Sequence, residues 1–111
     1  MVSLDVDDTI AAIASAPGSG LRGIVRLSGP RTLALVETLF EITDSPGFPN
    51  QIRPTSTRGR MTIDDDLEVD VDLYLWPTKR SYTRQPTAEF HLIGSRPVLD
   101  MVLNKICDCG A

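Results

Sequence analysis

Long apolar runs are missing from this chain of 111 residues: the longest, residues 10–14, is IAAIA. A membrane-spanning helix needs about 20 apolar residues, so none is expected. The acidic opening MVSLDVDDT has neither the basic nor the apolar part of a secretory signal. The expectation is a cytoplasmic protein without membrane association. Cysteine and histidine are equally scarce. Cys107 and Cys109 stand too close in sequence for an unstrained disulfide. A zinc site takes about four ligands, and only His91 could join them, so reduced thiols and no metal are expected. No GxxxxGK[ST] segment is present, which excludes nucleotide hydrolysis by the P-loop route within these residues. With His91 the sole histidine and no GxSxG turn, a Ser-His-Asp arrangement has no support. No catalytic residue is expected in the chain itself.

What is present describes an ordinary globular domain. The composition is 41% hydrophobic and 23% charged, which fits a soluble core-forming chain rather than a disordered one. The length is that of one domain, residues 1–111. The net charge of −4 is unevenly placed: residues 64–72, DDDLEVDVD, hold six acids and no base, and the rest has eleven bases against nine acids. A wholly basic nucleic-acid binder is therefore excluded. Local basic surfaces around Arg53, Arg58 and Arg60, or Lys79, Arg80, Arg84 and Arg96, are not.

The pattern of apolar residues predicts an α+β fold: a mainly antiparallel or mixed sheet of about five strands, with two helices packed on one face. Residues 9–14 read as a strand, Pro17 to Gly20 as a turn, and residues 23–28 as a second strand. Val25 and Leu27 share one face of it, opposite Ile24, Arg26 and Ser28. A helix is expected to start with Ser28 or Gly29 as cap and Pro30 in its first turn. It should run to about Ile42, with Thr32, Glu37, Thr38 and Glu41 largely on its polar side, before a loop containing Pro46, Gly47 and Pro49. Residues 55–76 read as a hairpin. If Asp64, Asp65 and Asp66 form its loop, Ile63 faces Leu67, Arg60 faces Asp70 and Arg58 faces Asp72. This register explains the acidic cluster as cross-strand charge pairs and a solvated turn, apart from the region of Arg26 and Glu89. A calcium loop would need Gly and Glu where Val69 and Leu75 stand. Residues 88–93 alternate again, with Ala88, Phe90 and Leu92 opposite Glu89, His91 and Ile93. A last helix begins around residues 95–97, turns Leu99, Val102, Leu103 and Ile106 inward and stops at Gly110.

Glu89 is the only acid on its strand. A carboxylate accepts hydrogen bonds through two oxygens and so suits a ligand with two adjacent N–H donors, such as a pterin or guanine edge. Equally, it can face water or pair with an arginine such as Arg26 on a neighbouring strand. His91, between Phe90 and Leu92, reads as a partly buried strand histidine rather than a base.

The run DTIAAIASAPGSGLRGIVRLSGP, residues 8–30, resembles the opening of the tRNA modification GTPase family TrmE, also called MnmE. That family begins with an Asp-Thr-Ile-x-Ala strand, a Pro-Gly-x-Gly turn and an Ile-x-Arg-x-Ser-Gly strand end. SYT at residues 81–83 and AEFHLIG at residues 88–94 resemble its Ser-Tyr-Thr-Gly-Glu-Asp and Glu-x-x-x-His-Gly-Gly signature. Gly110-Ala111 matches a Gly-Ala step after the family's helix. The likeness covers nearly the whole chain except residues 43–67. It implies a folate-binding and dimerisation domain, related in fold to the tetrahydrofolate-binding domains of aminomethyltransferases. By motif, Arg26 and Glu89 correspond to folate-contacting residues, and formyl-tetrahydrofolate or a related reduced folate is the implied cofactor. GTP, potassium and magnesium belong to a GTPase domain outside these 111 residues. The implied partners are a second copy, a flavoprotein of the MnmG (GidA) type, and the tRNA whose wobble uridine is modified. The sequence departs from the family at Arg84-Gln85-Pro86, in place of Gly-Glu-Asp, and at Ile93-Gly94-Ser95, in place of His-Gly-Gly. A further folate-contacting lysine of the family lies beyond residue 111. These departures leave a second expectation open: a diverged dimerisation module that has lost the ligand.

Overall fold

The computed structural model of the chain describes residues 9–14, 22–42, 55–64, 67–76 and 85–110. The expected turn at Pro17 to Gly20, the loop at Pro46 to Pro49, Asp65 and Asp66, Ser81 to Thr83, and the basic residues Arg53, Lys79, Arg80 and Arg84 lie outside them. The elements run β1 (Ile10–Ile13), β2 (Arg22–Ser28), α1 (Thr32–Leu39), β3 (Phe40–Ile42), β4 (Thr55–Asp64), β5 (Leu67–Trp76), β6 (Thr87–Ile93) and α2 (Arg96–Asp108). Six strands form one sheet in the order β1-β2-β6-β5-β4-β3. Every pairing is antiparallel, so the fold is α+β as expected, with no parallel component among the described strands.

Alternation along each strand creates the two faces. Val25 and Leu27 of β2, Ala88, Phe90 and Leu92 of β6, and Val69, Val71, Leu73 and Leu75 of β5 are buried. They join Leu35, Val36 and Leu39 of α1 and Leu99, Val102 and Ile106 of α2 in one cluster. Both helices therefore cover the same side of the sheet, as the sequence predicts. Each large aliphatic side chain fully buried there contributes about 1.5–3 kcal/mol relative to its exposed state.

The sixth strand comes from the end of the expected first helix. Its pattern reads as helical to Ile42, but the helix stops at Leu39 and Phe40 turns extended, with φ −111° and ψ 130°. Phe40 is buried, Glu41 exposed and Ile42 half-buried, which is the period of a strand. β3 lies against β4, with Phe40 opposite Met61 and Ile42 opposite Gly59. Gly59 makes room for it: a Cβ there would collide with the Glu41 carbonyl and the Phe40 ring.

The helix also starts later than expected. Arg31, not Ser28 or Gly29, is its N-cap. Thr32, expected on the polar side, is fully buried. Its hydroxyl lies 2.8 Å from the Gly29 carbonyl and 3.0 Å from that of Pro86, and so ties the start of α1 to the entry of β6. Thr9 is buried too, and its Oγ1 accepts a 2.9 Å bond from the Arg31 N–H. Both threonines exchange solvent for backbone partners, and Thr9 satisfies an N–H at the start of the helix that has no partner within it.

The hairpin register is borne out where it matters. Arg60 faces Asp70 and Arg58 faces Asp72. Near the loop, however, Asp64 rather than Ile63 faces Leu67, because the register slips between Thr62 and Asp64. Ile63 is then the extra residue, and it stays buried on the same face as Met61. α2 follows the expectation closely: Pro97 sits in its first turn, Leu103 is half-buried, and Gly110 has φ +120°, where a side chain would be strained.

Candidate functional site on the open face of the sheet

The strand period that buries one face sends the intervening residues to the other, which no described element covers. β6 carries the site because it lies between β2 and β5. Across the sheet, Arg26 stands opposite Glu89, and Glu89 opposite Tyr74. One step along, Ile24 stands opposite His91, and His91 opposite Asp72.

These neighbours interact directly. Arg26 donates to Oε2 of Glu89 from Nε at 2.9 Å and from Nη2 at 2.7 Å. His91 Nε2 lies 2.9 Å from the other oxygen, Oε1. An ionised carboxylate only accepts, so Nε2 carries the hydrogen of this bond. The His91 ring in turn packs on Tyr74, with centroids 4.4 Å apart and planes tilted by 53°. The Glu89 side chain is only 15% exposed, while that of Arg26 is 49% exposed and covers it from the solvent side. The pairing of Glu89 with Arg26 that sequence allowed is thus present, and His91 is the half-buried strand histidine expected. Arg26 and Glu89 are brought together rather than merely placed on the same face.

Burial pushes the Glu89 carboxyl up, but the hydrogen bonds from His91 and Arg26, with their charges, outweigh it and hold the group below its usual 4.5. A depressed carboxyl binds protons less readily folded than unfolded. Its contribution to stability is therefore fully present above about pH 4.5 and lost as pH falls through the lower folded value. Acid titration of unfolding should show this: the parent loses stability more steeply below about pH 4.5 than Glu89→Gln does. Parallel curves for the two proteins would contradict the assignment.

The acidic hairpin does not stand apart, contrary to the expectation from charge distribution. Asp72 shares the open face with Glu89 and His91 because β5 is the next strand. Arg22 reaches its Oδ2 at 3.0 Å, and Arg58 Nε lies 3.4 Å from its Oδ1. Arg60 lies within 3.6 Å of both Asp70 and Glu68, and Arg96 pairs with Asp100 at 3.1 Å. Arg22, Arg58, Arg60 and Arg96 thus sit among acids rather than forming a purely basic patch. Arg22 and Tyr74 were not legible as site neighbours. Their alternation is visible in sequence, but only the order of strands puts Tyr74 beside Glu89 and Arg22 beside Asp72 and the His91 carbonyl.

Cys107 and Cys109 are free thiols at the end of α2. Among the described residues no group of three or more His, Cys, Asp or Glu is placed to hold a metal ion. No described helix is long and apolar enough to cross a membrane.

Comparison with known proteins shows the family of the chain. The chain is 41% identical over 108 residues to the tRNA modification GTPase MnmE of Rhodopirellula baltica, covering 96% of this chain and 23% of that protein. It is 39% identical over 104 residues to the enzyme of the same name from Stutzerimonas stutzeri, covering 93% and 21%. For that of Saccharophagus degradans the figures are 33% over 110 residues, 99% and 23%. The chain thus spans less than a quarter of the length of these relatives. The family model described as GTP-binding protein TrmE N-terminus matches residues 9–111. With every described strand and helix inside that match, the chain belongs to the TrmE N-terminal family.

Proposed function

We propose that this domain is the N-terminal module of a tRNA modification GTPase, and that it binds a reduced folate, formyl-tetrahydrofolate, on the open face through Glu89 and Arg26. The observation that carries the reading is the Glu89 carboxylate, ionised and held by Arg26 and His91. A pterin presents two adjacent N–H donors; Oε1 of Glu89 keeps a second lone pair beside His91, and Oε2, which takes both Arg26 bonds, would exchange one of them for the second donor. Fixing the carboxylate in advance reduces the ordering cost of binding. Folate bound here would serve one-carbon supply for wobble-uridine modification in the whole enzyme. Dimerisation, the flavoprotein partner and tRNA belong to the same proposal, supported by the family match.

Titration of formyl-tetrahydrofolate by calorimetry tests this. Saturable binding is expected for the parent. Glu89→Gln, which keeps the shape but turns one acceptor into a donor, should weaken it roughly tenfold to a hundredfold. Absence of heat at millimolar ligand, or unchanged affinity in the variant, would overturn the folate reading.

One observation favours a second reading. Both Glu89 oxygens are already engaged by the chain's own side chains, and Arg84-Gln85-Pro86 replaces the family's Gly-Glu-Asp. A dimerisation module without a ligand would give a dimer on sedimentation together with no folate binding.

A further inference from the structure

We propose that residues 67–71 of β5 form a docking edge, to which a partner protein adds an extended segment of alternating basic and apolar side chains as a further strand. The place follows from unequal pairing. β4 accompanies β5 from Leu67 to Leu75, whereas β6 pairs with it only from Asp72 to Trp76. β6 goes no further because its chain turns at Gly94 and Ser95 into α2, which begins at Arg96. Alternate residues of 67–71 turn their N–H and C=O away from β4, and among the described residues no strand meets them there. Arg22 closes the inner end of the vacated lane, donating to the His91 carbonyl at 3.3 Å and to Asp72 at 3.0 Å. Beyond it lies an open recess of about 500 Å³, lined among others by Leu67, Val69, Asp70, Ile93 and Val98.

The side chains along the lane specify the occupant. Leu67 is 40% exposed and Ile93 59%, and with half-buried Val98 they give the recess an apolar lining. Glu68 and Asp70 project from the opposite face of β5 to Leu67 and Val69. Their side chains are 55% and 90% exposed and share a single base, Arg60, at 3.6 and 3.5 Å. Asp64, Asp65 and Asp66 precede them in sequence. A strand added beside β5 sets its alternate residues next to Glu68 and Asp70, where a basic side chain is favoured and an acidic one opposed. Its intervening residues turn to the apolar side. Main-chain hydrogen bonds supply the affinity of such strand addition, and the alternate side chains its selectivity. An exposed edge recruits other strands unless charge guards it. Here the guard on β5 is acidic alone, so a second copy, which carries the same row, is repelled, as are the phosphates of a nucleic acid. A basic segment is admitted.

An NMR titration of the isotope-labelled chain with the end-capped peptide Lys-Val-Lys-Val-Lys-Val tests this. Saturable shifts are expected at the amides of residues 67–71 and at Ile93, with slowed hydrogen exchange at those of 67–71 whose N–H points away from β4. Asp70→Lys, at a side chain 90% exposed and remote from the core, should weaken binding about tenfold. The peptide with Glu in place of Lys should not bind, and that with Ser in place of Val should bind about fivefold more weakly. Unchanged affinity in Asp70→Lys, shifts spread over acids of other elements such as Asp100, or binding without added protection at 67–71 would overturn the docking edge. A dimer of the parent chain that protects these amides without peptide, or a single-stranded RNA oligonucleotide that shifts them, would assign the edge to another occupant and overturn it as well.

Discussion

Phe90→Ala is expected to lower the free energy of unfolding by about 3–5 kcal/mol. Phe90 is fully buried on β6, opposite Val25 on one side and Leu73 on the other. It belongs to the cluster that holds the inward residues of both helices. Removing its ring leaves a cavity that neighbours on two paired strands cannot close without breaking ladder hydrogen bonds. Domains are stable by only about 5–15 kcal/mol, so the variant should unfold at clearly lower urea concentration. Ile93→Ala, on the same strand but at a position 59% exposed, is the internal control and should cost no more than about 0.5 kcal/mol. Similar losses for the two variants would contradict the assignment of faces.

Gly59→Ala should destabilise by about 1–3 kcal/mol, and the sign is the informative part. Alanine normally improves on glycine in a strand interior by about 0.5–1 kcal/mol. Here the added methyl meets the Glu41 carbonyl, which is backbone, and the Phe40 ring, so the neighbour that must move is β3 itself. Hydrogen exchange should therefore accelerate at the amides of β3 while β2 and β6 keep their protection. A variant as stable as the parent, or one that loses protection uniformly, would show that Gly59 does not seat the edge strand.

How much of the molecule was legible in its sequence depends on what selects each element. β2, β5 and β6 were readable because alternation is local: Val25 and Leu27, or Phe90 and Leu92, declare a buried face without reference to any partner. The hairpin register was readable for a similar reason, since Arg60 with Asp70 and Arg58 with Asp72 lie within one turn's reach. β3 was not readable. Phe40 and Ile42 fit the apolar face of a continuing helix as well as they fit a strand, and only the edge offered by β4 decides between them. The slip at Ile63 escaped because a regular register would also turn Ile63 to the core, so alternation does not mark the extra residue. In the candidate site, Arg26 and Glu89 were legible as residues, and Arg26 as one possible partner of Glu89. The addition of Tyr74 and Asp72 to their company depends on β6 entering between β2 and β5, a pairing of segments distant in sequence that no local pattern encodes.

The central claim is that the helix-free face around Glu89 is the ligand site. The most direct measurement is an NMR titration of the isotope-labelled chain with formyl-tetrahydrofolate, followed at the backbone amides and at the His91 ring. The account predicts saturable shifts concentrated at residues 24–28, 72–76 and 87–92, with the His91 ring among the largest, and loss of that pattern in Glu89→Gln. Shifts confined to α1 and α2, or none at millimolar ligand, would contradict it.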